Sequence, residues 1–162
     1  MFIGIISDTH GENDLTRKAI HFFKARKVQR IIHCGDIGSP STVDFFQDIP
    51  TDFVFGNIDG SMTQTLTRKI EEINGKLHNW FGKIELEGKK IAFLHGHEEL
   101  RLEQEIASQK WDLICFGHLH QHSLSEFGKT LVLNPGALQQ RSERPGFCII
   151  ELPEMSIFRI SI

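Results

Sequence analysis

Little in this chain could staple it together. It has three cysteines, Cys34, Cys115 and Cys148, an odd number set in separate apolar runs (IIHC, LICF, FCII). Such residues read as buried small hydrophobes in a reducing compartment, and no CxxC or CxH spacing offers thiolates to a metal. An excess of positive charge is also missing. Lys and Arg number 18 against 21 Asp and Glu, for a net charge of −3, so nothing indicates general nucleic-acid binding or a basic membrane clamp. No run approaches 18 apolar residues, and the opening MFIGIISDTH lacks the basic flank and length of a signal peptide. A soluble cytoplasmic protein is expected. Repeats, low-complexity tracts and Pro/Gly/Ser-rich linkers are absent, and 162 residues predict a single domain over 1–162.

What is present is ordinary globular composition, 40% hydrophobic and 24% charged. A chain of this length buries roughly 68–70% of its unfolded surface and can fold without staples. Short apolar runs alternate with helical patterns in the first half. Phe2–Ser7 predicts a buried strand, Asn13 the cap of a helix running to about Arg26, and Arg30–Cys34 a second strand. Ser39-Pro40 opens a short helix, and Asp52–Phe55 is a third strand. The second half predicts hairpins at Trp80–Leu86 with Lys89–Leu94, and at Ser123–Phe127 with Thr130–Leu133. Glu98–Gln109 is expected to be helical, Asp112–Phe116 a strand, and Phe147–Glu151 and Ser156–Ile162 antiparallel strands. Helices covering two sheets packed face to face make a layered α/β sandwich.

Nine histidines are the unusual figure. Several fall in five clusters that each follow an apolar strand: Asp8-Thr9-His10, Gly35-Asp36, Gly56-Asn57, His95-Gly96-His97 and Gly117-His118-Leu119-His120. Ligands of α/β sheets bind where the loops at the carboxyl ends of strands converge. Carboxylate, carboxamide and imidazole without thiolate suit divalent ions such as Mn, Fe, Zn, Co or Ni. A GHxH string alone would arise by chance about 0.04 times at this composition. An ordered set of five is far less accidental.

The order D-x-H, GD, GN, HGH, GHxH resembles the calcineurin-like metallophosphoesterases. The short length and the NPGA segment (Asn134–Ala137) resemble their small bacterial and archaeal phosphodiesterase branch, which also includes the retromer subunit of the same fold. The resemblance spans residue 2 to about residue 150. It implies a four-layer α-β-β-α sandwich of two mixed sheets with two divalent metals, manganese foremost. By the same resemblance Asp8, His10 and His120 would hold one ion, Asn57, His95 and His118 the other, and Asp36 would bridge them. Two carboxylates offset half the charge of two divalent ions, leaving about +1 once a bridging hydroxide is bound, which favours an anionic ester and supplies the nucleophile. The activity implied is hydrolysis of small phosphodiesters. A phosphomonoesterase and a catalytically weak interaction scaffold are the alternatives, and a homodimer is plausible.

The sequence departs from the family where many relatives read GNH. Here Gly56-Asn57-Ile58-Asp59 places Ile58, which cannot donate a proton, at that position. His97 and His122 are the substitutes, each two residues from an implied ligand, with His97 either proton donor or support for the ligands. General acids are worth about 10²–10⁴-fold, so poor leaving groups would be slow. Ala137 replaces a common Ser and is assigned no catalytic consequence. Asp59 is expected to support the ligands from behind. His33 is expected in the core and His21 and His78 at the surface; Arg141 and Arg144, which follow the NPG turn and could reach a substrate phosphate, are expected rather in exposed salt bridges.

Overall fold

The structure, a computed structural model, describes all residues, 1–162. Strand β1 (Phe2–Ile6) leads through helix α1 (Asn13–Ala25) to β2 (Arg30–His33). The short helix α2 (Pro40–Val43) precedes β3 (Thr51–Phe53), and α3 (Thr63–Glu72) precedes β4 (Lys76–Leu77). The hairpin β5 (Phe81–Leu86) and β6 (Lys89–Leu94) follows, then α4 (Glu99–Ala107) and β7 (Leu113–Cys115). Strands β8 (Ser123–Phe127), β9 (Thr130–Asn134), β10 (Gly146–Glu151) and β11 (Ser156–Ser161) complete the chain.

The strands form two mixed sheets, ordered β11-β10-β1-β2-β3-β4 and β5-β6-β7-β9-β8. Strands β1 to β4 are mutually parallel, as are β6, β7 and β9, with antiparallel partners at the edges. Side chains alternate across each strand, and that alternation builds the layers. Ile3, Ile5, Ile32, Cys148 and Ile150 of the first sheet meet Ile91, Phe93, Leu113 and Cys115 of the second in a seam between the sheets. On the first sheet's outer face, Ile6, Ile31, Phe147 and Ile149 pack with Ala19, Ile20 and Phe23 of α1 and with Leu66 and Ile70 of α3. Beyond the second sheet, Ala92, Leu94 and Ile114 pack against Leu102 and Ile106 of α4. Helix, sheet, sheet and helix are the four layers of the expected sandwich.

Some local expectations change. Asn13 is the first residue of α1 rather than its cap, and its side chain instead accepts from Thr42 and donates to Ser41. Ser39 does cap α2, accepting from the Ser41 amide. His78 is not a surface residue, since its Nε2 lies 2.7 Å from the buried Asp52, which also takes Arg30 at 2.5 Å. Burial pushes the Asp52 carboxyl up, but these two partners hold it below its usual range. Helix α3 adds an element that the motif pattern did not indicate. No helix is long and apolar enough to cross a membrane.

Candidate metal centre

The carboxyl ends of β1, β2, β3, β6 and β7 open on one side of the sandwich, and the five clusters meet there. The chain reaches this geometry through unusual backbone. Asp8, His10, Asp36, His118 and His120 all have φ between 45° and 66°, a left-handed conformation that side-chain-bearing residues adopt sparingly, with Asp and His more tolerant than most. Two glycines allow close approach: a methyl group at Gly56 would land on Asp36 Oδ1, and one at Gly117 on Ser7 and Asp8.

Asp8 and Asp36 share a design. Each gives one oxygen to a backbone amide, Asp8 Oδ2 accepting from His118 N–H at 3.1 Å and Asp36 Oδ1 from Ile58 N–H at 3.1 Å. The other oxygen faces the centre. Asp8 Oδ1 lies 3.1 Å from His120 Nε2 and 3.6 Å from His10 Nε2, and Asp36 Oδ2 lies 3.3 Å from His10 Nε2 and 3.2 Å from His95 Nε2. The donor atoms of Asp8, His10, Asp36 and His120 all lie within 4.8 Å of one another. Beside them, His95 Nε2 is 3.0 Å from Asn57 Oδ1, and the His95 and His118 rings are 5.2 Å apart. The structure thus brings all seven residues of the implied ligand set to one place, with Asp36 facing both groups.

The donor chemistry fits a cation. His95 Nδ1–H donates to the Cys34 carbonyl at 2.9 Å, so in the neutral ring Nε2 carries a lone pair. That lone pair faces Asp36 Oδ2 and the Asn57 side-chain oxygen, an arrangement that a positive charge satisfies. Asp8 Oδ1 and His10 Nε2 are buried without any hydrogen-bond partner, and such orphans are rare. Without an ion, protons take its place. Burial pushes both carboxyls up, but the facing imidazoles of His10, His120 and His95 hold Asp8 and Asp36 well below the usual carboxylate range. Asp36 and Asp8 raise His10 to about 9. Burial opposes a charge on His95, and Asp36 and Asp8 nevertheless raise it.

The remaining residues have distinct places. Asp59 does not touch the cluster. It accepts from the amides of Gly56 (2.8 Å), Gly38 (3.0 Å) and Ile37 (3.1 Å), tying the loop after Asp36 to the Asn57 turn. His97 lies at the rim, its ring 5.5 Å from that of His95 and 5.9 Å from Trp80, with Nδ1 buried and unpartnered. Burial and the neighbouring His95 lower its pKa. Ile58 is exposed at the mouth. His122 instead donates from Nδ1 to the Asn134 carbonyl at 3.0 Å.

Two supporting residues escaped the sequence. Gln139 is buried with its amide 2.8 Å from His120 Nδ1. An amide can serve an imidazole in either orientation, and with its oxygen toward Nδ1–H it would leave Nε2 free for the centre. His33 is buried in the core as expected, but it also joins two loops. Thr9 Oγ1 donates to the Ile37 carbonyl at 3.0 Å, so it accepts from His33 Nε2–H at 3.0 Å, while Gly35 N–H donates to His33 Nδ1 at 3.2 Å. Burial lowers its pKa to about 3.

Residues 1–155 match the family described as the calcineurin-like phosphoesterase superfamily domain. A phosphodiesterase of Methanocaldococcus jannaschii is 34% identical over 139 residues, covering 84% of this chain and 83% of that protein. A solved structure described as a novel archaeal phosphodiesterase superposes with a TM-score of 0.93 over the whole of both chains at 30% identity. Vps29 of Entamoeba histolytica shares the fold, with a TM-score of 0.71 at 18% identity over 100% of this chain and 99% of that one. Fold, converging strand ends and relatives agree: the chain belongs to the calcineurin-like phosphoesterase superfamily and is a phosphoric ester hydrolase.

Proposed function

We propose that this hydrolase is a phosphodiesterase for small diesters, working with two divalent ions, manganese foremost. Asp8, His10 and His120 would hold one ion and Asn57, His95 and His118 the other, with Asp36 between. The position of Asp36 carries this proposal, because its Oδ2 lies 3.3 Å from a nitrogen of the first group and 3.2 Å from one of the second. The kinship with archaeal phosphodiesterases supports the diester as substrate.

When bound, two such ions supply positive charge for the phosphoryl oxygens and acidify the attacking water. The chain's own part is placement. Amide donors from Ile58 and His118 fix both carboxylates, and the Cys34 carbonyl fixes the His95 ring, so the centre needs little rearrangement. The water oxygen bonds to phosphorus, the bond to the leaving oxygen breaks, and that oxygen takes up a proton. Ile58 has none to give, so His97, whose ring lies beside that of His95 and whose Nδ1 has no partner, is assigned to the leaving side. Its lowered pKa makes it a modest acid at neutral pH, which favours esters with good leaving groups.

The test is hydrolysis of bis(p-nitrophenyl) phosphate and of p-nitrophenyl phosphate by chelated protein, with Mn, Zn, Fe, Ni or Mg returned singly. Diester cleavage restored by metal and lost in both Asp36→Ala and His120→Ala is expected. Preference for the monoester would reassign the substrate class. Absence of turnover from protein carrying two metals per chain would reduce the site to a structural element of an interaction scaffold.

A further inference from the structure

Beside the centre lies a second feature that the reaction above does not use. A cleft of about 720 Å³ opens where the loop after β7 faces the loop between β9 and β10, and no hydrophobic residue lines it. His120 forms part of its wall, so the cleft shares a residue with the candidate metal centre. Across from it stand Arg141, Glu143, Arg144 and Arg159. Arg159 is committed to structure, since its guanidinium donates to the carbonyls of Arg144 (2.8 Å), Ile160 (2.6 Å) and Phe147 (3.2 Å). It thereby ties the 141–144 loop to β11.

The two arginines held on that loop are different. The salt bridges expected for Arg141 and Arg144 do not form: neither guanidinium has a carboxylate within 4.0 Å, and neither makes a side-chain hydrogen bond. Both guanidiniums line this one cleft without an acidic partner, which leaves their charge free to take an anion. Planar guanidinium forks match phosphate oxygens. The cleft has the volume of a small-ligand site, typically about 300–1,000 Å³.

We propose that this cleft is an anion subsite, in which Arg141 and Arg144 take a second phosphate of the substrate while the ester phosphate occupies the centre. The preferred substrates are then phosphodiesters bearing a further phosphate on one arm, such as a phosphorylated nucleotide ester. The inference rests on the phosphodiesterase proposal, and its test separates the two.

The probes are thymidine 5′-(p-nitrophenyl phosphate) and the same compound carrying a 3′-phosphate, which share one reacting centre and one leaving group. The metal-loaded full chain should favour the 3′-phosphorylated probe in kcat/KM by about tenfold, the size of one charge-assisted hydrogen bond. That ratio should fall to about one in Arg141→Gln/Arg144→Gln, and persist in Lys89→Gln/Lys90→Gln at the remote hairpin. A ratio near one in the wild type, or one that survives the double arginine change, overturns the subsite. If neither probe is cleaved, the phosphodiesterase proposal fails instead. Calorimetry then decides the subsite alone: thymidine 3′,5′-bisphosphate must bind more tightly than thymidine 5′-monophosphate, with the advantage lost in the arginine variant, and equal binding overturns it.

Discussion

Asp8 accepts a hydrogen bond from the backbone amide of His118, 110 residues further along the chain and in the loop that follows β7 of the other sheet. The contact ties the two halves of the sandwich at the centre itself. It also leaves one carboxylate oxygen free to face His10 and His120. Asp36 repeats the device with Ile58. Replacing Asp36 by Asn keeps the shape and the amide contact but removes the charge that both imidazole groups face. Asp36→Asn should bind metal at least 10–100-fold more weakly, the range seen even for outer partners of ligands. Its metal content after dialysis should fall below that of the wild type.

Gln139→Ala should also weaken metal binding by about 10–100-fold, because His120 loses the group that fixes its ring. Gln139→Glu should recover part of the affinity, since a carboxylate can accept Nδ1–H. Competition with a chelator of known affinity measures both variants.

Gly56→Ala should place a methyl group on the Asp36 carboxylate. Overpacking of this kind costs about 1–3 kcal/mol. The displacement should also depress turnover more than that loss of stability alone would. Urea denaturation alongside diester kinetics, both at a temperature where the variant is fully folded, checks the two effects.

Acid should destabilise the metal-free protein partly through His33. Its pKa is about 3 when folded and about 6.5 when exposed, so below 6.5 the unfolded chain takes up a proton that the folded chain refuses. Stability is therefore full above about pH 6.5 and falls by up to about 1.4 kcal/mol per pH unit until about pH 3. His33→Gln should show a shallower slope between pH 6 and 4 by about one proton, measured by urea denaturation at each pH. His10 acts in the opposite sense. Raised to about 9 by Asp36 and Asp8, it contributes stability below about pH 6.5 that is lost as pH rises through 9 in the metal-free state.

Much of the site was legible because its chemistry sits at strand ends, where an apolar run stops abruptly at Asp, Asn or His. The continuous apolar runs of β1, β6 and β10, buried on both faces, likewise made the strands readable. Gln139 was not legible, because its role depends on a through-space approach to His120, nineteen positions earlier, and nothing in the local sequence marks it. His78 misled for a similar reason: its partner Asp52 lies on the neighbouring strand β3. The arginines of the 141–144 loop were expected to find acidic partners, and only the fold shows that the nearby Glu143 does not serve them.

The left-handed backbone at five of the seven implied ligand positions has an evolutionary side. Each such residue gives up about 1 kcal/mol relative to glycine, somewhat less for Asp and His. A lineage released from selection for catalysis would recover that backbone energy with glycine at His10, His118 or His120, whose side chains hold no backbone amide as those of Asp8 and Asp36 do, and each change would erase an implied ligand. The site's persistence would be a record of continued use, and its decay in a descendant would begin with glycine.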